Sequence, residues 1–175
     1  MSMKARRIWC RRNSPNGSVD VTNAPFWEAP IESLDRAQWE ALCDGCGKCC
    51  LNKLEYEDTG EVEFTRVACK LLDGQTCRCT KYETRHQYVP ECVRLSPKNI
   101  AKIAYWMPAT CAYRLRFDNK PLPEWHYLIS GDPETVHTAG VSVRGRAVGE
   151  RVAGPLEHHI VDWPGKMPRV RRAKK

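Results

Sequence analysis

Apolar and polar positions follow two rhythms along this chain. Leu34, Ala37, Ala41 and Leu42 fall on one side of a 3.6-residue period, and Ser33 is placed to cap them. This predicts a helix over 34–42 that runs straight into Cys43. Glu61–Ala68 instead alternates polar with apolar residues, as a half-buried strand does. Helical spacing returns at Ile100, Ile103, Ala104 and Met107. Ser96-Pro97 is a suitable start for that element and Pro108 its stop, which predicts a helix over 97–106. Asp132-Pro133 opens a third, short helix over 133–139 that Gly140 can end, and Val141–Arg144 reads as a strand. Asp73-Gly74 marks a turn before Cys77. Residues 1–24 show no sustained period, and from about Val152 the signal fades.

These elements are short and widely spaced. With twelve prolines and eleven glycines in 175 residues, they predict a small, loop-rich α+β single domain with short helices and few strands. Leu, Ile, Val and Phe are sparse, so metal sites are expected to help stabilise so small a core. The expected organisation is a disordered basic arm over 1–24, a cysteine-cluster metal-binding domain over 25–152 and an extended basic tail over 153–175. The charge supports that division. Net charge is +7, but five basic residues lie in the first twelve positions and six in the last ten, with no acid in either stretch. The middle of the chain is therefore net negative. A basic excess confined to tails argues against sequence-specific nucleic-acid binding, which needs a folded basic face. No run approaches the ~18 apolar residues of a membrane span, and the basic N-terminus lacks the apolar stretch of a secretory signal. The expected location is cytoplasmic. In that reducing compartment, dense cysteines point to metal or catalysis before disulfides.

The chain has ten cysteines, and four of them form the run Cys43-Asp-Gly-Cys46-Gly-Lys-Cys49-Cys50. Two-residue spacers let neighbouring thiolates face one centre. Gly45 and Gly47 permit the tight turns this requires, and Lys48 favours deprotonated thiols. Cys69, Cys77, Cys79, Cys92 and Cys111 follow, and Cys10 stands alone in the arm. Nine thiols exceed one four-coordinate site, so either two centres form or several cysteines are structural. Three cysteines at three-residue steps match iron–sulfur ligation better than the paired knuckles of zinc sites. Cys77-Arg-Cys79 suits neither well. Vicinal Cys49 and Cys50 diverge, so they serve two centres, or one of them packs. An iron–sulfur cluster is the preferred cofactor, with zinc the alternative.

The Cys-x2-Cys-x2-Cys-Cys segment resembles the cysteine-cluster family named CxxCxxCC after this motif and described as zinc- or iron-chelating. The match is closer to one branch, the bacterial YcgN family. It runs through Phe26–Glu28, Trp39–Cys46, Cys49-Cys50, Asp58–Gly60, Val67–Cys69 and Thr76–Cys79. It continues through Val89-Pro90 with Cys92, Pro108–Leu115, Ser130–His137 and Gly140–Gly145. This covers about residues 26–150, and all nine cysteines after Cys10 fall on family positions. The resemblance implies metal chelation by these cysteines in a bacterial cytosolic protein. Related segments resemble the iron–sulfur part of a flagellin lysine methylase, which favours iron. No glycine-rich strand–turn–helix signature for S-adenosylmethionine is present, so methylation does not carry over.

The histidines read as surface or cap residues: His126 and His137 flank a turn, and His86, His158 and His159 are expected to be solvated. Arg114, Arg144 and Arg146 are expected to pair with acids. Trp27, Trp39, Trp106, Trp125 and Trp163 are expected to pack over the metal site and keep it dry. No Ser/His/Asp triad or phosphate-cradling loop is visible. Three functions follow: a metal-cluster protein with a redox, sensing or metal-handling role, a zinc-stabilised module for protein or nucleic-acid interaction, and a metal-free cysteine enzyme.

Overall fold

The structure, a computed structural model, describes residues 25–163. The arm expected over 1–24, with Cys10, and positions 164–175 of the expected tail lie outside the described residues. The fold is a small α+β domain with a three-stranded mixed sheet and short helices. Helix α1 (Arg36–Ala41) is followed by strands β1 (Leu51–Glu55) and β2 (Val62–Ala68). Single-turn helices α2 (Arg85–Tyr88) and α3 (Ile100–Ile103) precede α4 (Ala112–Phe117). The chain continues through α5 (Tyr127–Ser130), α6 (Thr135–Thr138), β3 (Val148–Gly149) and α7 (Glu150–Ala153).

A six-residue helix such as α1 is not stable alone. Its start is fixed by a capping box: Asp35 accepts from the Gln38 amide at 2.8 Å, and the Gln38 side chain accepts from the Asp35 amide at 3.0 Å. The cap is therefore Asp35, not Ser33, whose hydroxyl donates to the Pro30 carbonyl instead. Trp39 and Leu42 from this segment pack with Ile31, Ile100, Met107, Ala112, Tyr113 and Leu122 in a helical core. Burying each large side chain contributes roughly 1.5–3 kcal/mol. That burial, more than intrinsic propensity, holds the helix.

The predicted strand is β2, the centre of the sheet. It pairs antiparallel with β1 (Leu51↔Ala68, Lys53↔Phe64) and parallel with β3 (Val67↔Val148). Being central, β2 does not keep the expected half-buried pattern. Glu63 and Thr65 are both buried. The Thr65 hydroxyl donates to the Asn52 carbonyl at 2.7 Å and accepts from the Val67 amide, so its burial leaves no polar atom stranded. Leu51, Phe64, Ala68, Cys77, Val143 and Trp163 form the core on this sheet.

The packing of the described chain runs past 152. Ile160 bridges Thr65, the Val161 amide donates to the Phe64 carbonyl, and the Trp163 indole donates to the Thr65 carbonyl. Two predicted elements are shorter than expected. The 97–106 segment becomes helical only at Ile100 and tightens into a 3-10 turn over Ala104–Trp106, because Asn99 bonds back to Ser96 and Arg94. The third helix is confined to Thr135–Thr138. Val141–Arg144 is not a strand. Its one sheet-like bond is from the Val143 amide to the Cys46 carbonyl, at 2.9 Å, and it clamps the cysteine loop.

That loop depends on Gly47, which has φ +76°. A Cβ there would stand 2.7 Å from Val143 Cγ2 and 3.2 Å from Cys77 Cβ. Gly47→Ala combines a left-handed penalty of roughly 1–2 kcal/mol with overpacking of about 1–3 kcal/mol. A loss of at least about 2 kcal/mol in denaturant unfolding is expected. An unchanged midpoint would show that the loop can move away from Val143.

Candidate metal centre

The cysteines are delivered by separate elements. Cys43 follows the last turn of α1, and Cys46 and Cys49 lie in the glycine loop. Cys50 closes a 3-10 turn (Lys48–Cys50) that leads directly into β1. Cys69 follows the end of β2, where its amide donates to the Cys50 carbonyl at 2.9 Å. Cys79 is held by an antiparallel bridge to Leu72. Cys92 lies in the turn after α2, and Cys111 is the residue before α4.

Eight of these thiols, Cys43, Cys46, Cys49, Cys50, Cys69, Cys79, Cys92 and Cys111, line one cavity of about 300 Å³ where the helical core meets the end of the sheet. The nine described cysteines are all free of disulfides. Cys77 does not join the eight. It is buried in the sheet core, with φ 56°.

The geometry of the loop has identifiable anchors. The last carbonyls of α1 accept from residues at the start of α5: Ala41 from the Tyr127 hydroxyl and Leu42 from His126 Nε2, the latter at 3.0 Å. His126 Nδ1 accepts from the Leu128 amide, so the proton must sit on Nε2. Burial pushes the His126 pKa down, which agrees with a neutral ring. This histidine is a cap as expected, but fully buried rather than on the surface. Gly45, at φ +75°, lies under the Arg78 guanidinium, about where a Cβ would meet it at 3.0 Å.

Burial raises the pKa of Cys43, to about 12, and of Cys46 and Cys111, with nearby charges on Cys49 and Asp44 adding to each. Cys49 and Cys50 have sulfurs 3.9 Å apart. The Cys50 thiol donates toward Cys49, drawing Cys49 down to about 7 while Cys50 is pushed up. Two cations stand close by. Lys53 Nζ donates to the Leu51 and Cys49 carbonyls at 2.8 and 3.1 Å, between the rings of Phe64 and Trp106. Lys48, buried, donates to Thr110 beside Cys111.

Asp44, which residue spacing gave no reason to select, also lines the cavity. It is buried, and one oxygen accepts from the Cys46 amide at 2.9 Å. Its Oδ2 is buried with no hydrogen-bond partner among the described residues. A buried carboxylate oxygen amid thiols is costly unless a cation compensates it. Eight free thiols and this carboxylate form a donor set suited to iron or zinc.

The remaining expectations divide. His137 bonds Ser142 at 2.7 Å, and His159 accepts from Arg66 and bonds the Ala153 carbonyl, so His159 is not solvated as expected. Arg144 pairs with Glu134 at 2.6 Å, and Arg114 contacts Asp118. Arg146 instead stacks on Trp163 and donates to two carbonyls. The cavity's aromatic wall is Tyr82 and Tyr113, not tryptophan. Trp39 and Trp125 stand behind it, in the clusters that hold Cys43, Cys111 and Cys46. No helix among the described residues is long and apolar enough to cross a membrane.

Fold and cavity define the class of protein as a small cysteine-rich α+β domain. A family model described as "CxxCxxCC: Putative zinc- or iron-chelating domain" matches residues 42–112. The chain is 74% identical over 125 residues to a UPF0260 protein of Rhodobacter capsulatus, covering 71% of this chain and 84% of that relative. It is 58% identical over 151 residues to one from Granulibacter bethesdensis, covering 86% and 90%. A third, from Rhizorhabdus wittichii, is 60% identical over 139 residues, covering 79% and 94%. The chain belongs to the UPF0260 (YcgN) family, as the resemblance in the sequence implied. No solved structure matches it.

His126→Phe keeps a ring in the core but removes the hydrogen bond to the Leu42 carbonyl at the entrance to Cys43. Losing a buried bond of this kind costs about 1–3 kcal/mol. The expected result is a lower denaturant midpoint with an unchanged slope. An unaltered midpoint would mean that the α1 end is held by Tyr127 alone.

Proposed function

We propose that this protein holds an iron–sulfur centre in the thiol-lined cavity and uses it in a redox, sensing or metal-handling role. The observation that carries the reading is that eight free cysteines from five stretches of the chain line one cavity of about 300 Å³. That volume is about ten waters at ~30 Å³ each, far more than one ion occupies. A single tetrahedral zinc, with Zn–S about 2.3 Å, needs its sulfurs about 3.8 Å apart. Cys49 and Cys50 meet that spacing, at 3.9 Å, but no group of three Cys, His, Asp or Glu among the described residues is set to hold one ion. A polynuclear cluster suits this arrangement better than a single ion does.

A bound cluster would supply electron-transfer chemistry, with its potential set by charge, hydrogen bonds and exposure. The protein's part is to bind and to tune. Leu71, Leu72, Val89, Val93 and Leu95 give the cavity apolar walls. Lys48, Lys53 and Arg78 bring positive charge to the side formed by the cysteine loop. Family membership supports chelation of iron or zinc, and the cavity's size supports iron.

The test is metal and acid-labile sulfide content, with a visible spectrum, on untagged protein purified without oxygen. Iron and sulfide in near-equal amounts, with broad absorbance toward the blue, is the expected result. Stoichiometric zinc with no colour would overturn the cluster and favour a zinc-stabilised interaction module.

A further inference from the structure

We propose that the cavity contains two adjacent four-thiolate centres, one formed by Cys43, Cys46, Cys49 and Cys111 and the other by Cys50, Cys69, Cys79 and Cys92. The vicinal pair Cys49–Cys50 is the seam between them. This rests on the metal-binding reading above, though not on the choice of metal.

The backbone separates the two sets. Cys43, Cys46 and Cys49 belong to the loop that leaves α1. Lys48 of that loop reaches Thr110 at 3.3 Å, tying it to the residue before Cys111. Cys43 and Cys111 also pack against the same helical core. The second set is assembled at the end of the sheet. The Cys69 amide donates to the Cys50 carbonyl, the Leu72 amide donates to the Cys69 carbonyl, and Leu72 bridges Cys79. Cys92 approaches from the turn whose amide bond to Val89 places both residues on the cavity wall. Cys49 and Cys50 are consecutive in a 3-10 turn, so each set receives one of two neighbouring thiols.

Cys92, on the turn after α2, completes the second set, and the two sets meet at Cys49 and Cys50, whose sulfurs are 3.9 Å apart. In two-cluster ferredoxins, too, the fourth cysteine of a closely spaced run ligates the other cluster. Cys77 is excluded from both sets by its place in the sheet core, off the cavity wall.

The experiment counts centres in the full-length chain, loaded with ferrous iron and sulfide without oxygen. Wild type is expected to hold two clusters, and its reduced form to show electron paramagnetic resonance lines split by spin–spin interaction. Cys46→Ser and Cys79→Ser should each lower iron and sulfide about twofold and abolish the splitting. Cys77→Ala should keep both clusters. Circular dichroism separates loss of metal from loss of fold, and the wild-type stoichiometry and splitting stand even if a variant unfolds. One cluster in wild type, or loss of all iron from a folded Cys79→Ser variant, would overturn the two-centre arrangement. Two zinc ions per chain would instead keep two centres and overturn the iron reading.

Discussion

At Gly47 the backbone runs so close to Val143 that even a methyl group would meet it at 2.7 Å. That approach determines how the cysteine loop enters the molecule. With φ +75° at Gly45 and +76° at Gly47, the backbone takes two left-handed steps within three residues, each of which an L side chain would oppose. Between them Cys46 is buried and its carbonyl accepts from the Val143 amide. The loop is thereby held between the helical core on one side and the sheet core on the other. Helix α1 delivers it, His126 and Tyr127 fix the point of delivery, and β1 begins as soon as it ends. The cavity is the space these constraints leave.

Such a cavity is expensive in electrostatic terms. Thiols kept from water resist ionisation, and burial is the leading cause of the raised pKa values at Cys43, Cys46 and Cys111. Asp44 adds a carboxylate to the same wall and raises these pKa values further. Lys48 and Lys53 oppose it, but burial lowers the pKa of both cations as well. The chain thus gathers several thiols and two lysines whose charged forms their surroundings disfavour, with Cys49 the exception. Thiolate ligation by a metal reverses that balance, because the ion supplies the compensating charge at the sulfur itself.

Much of the site was legible before the fold was known, and for a definite reason. Cysteine spacing is a local property, and the turns at Gly45 and Gly47 follow from the absence of a side chain. β2 was legible because Glu61–Phe64 alternates polar with apolar residues and Val67-Ala68 closes the segment with apolar ones. β1 was not, since Leu51–Glu55 follows directly on the cysteine run and carries three polar residues, Asn52, Lys53 and Glu55, that its strand pairing accommodates. α4 escaped notice because Ala112–Phe117 holds two arginines, and its burial comes from Ala112 and Tyr113 packing on a distant helix. The inert placement of Cys77 could not be read from Cys77-Arg-Cys79. It depends on Val143, more than sixty residues away in sequence. Asp44 was likewise hidden, because a carboxylate in a glycine loop looks like an ordinary turn residue until its burial is known.

Cys77 and Cys79 show how the fold divides similar residues between different tasks. Between them lies Arg78, which covers Gly45. Cys77, in left-handed conformation, is buried in the sheet core. Cys79, on the bridge to Leu72, faces the cavity. One thiol therefore backs the glycine loop from outside while its neighbour helps to line the chamber. Metal ligation across the chamber would join segments from Cys43 to Cys111, which three small apolar clusters otherwise connect. A chain poor in Leu, Ile, Val and Phe gains from such links because each closes a long loop of the unfolded chain, and the entropic benefit grows with loop length. The same sulfurs would then also tie the helical half to the sheet.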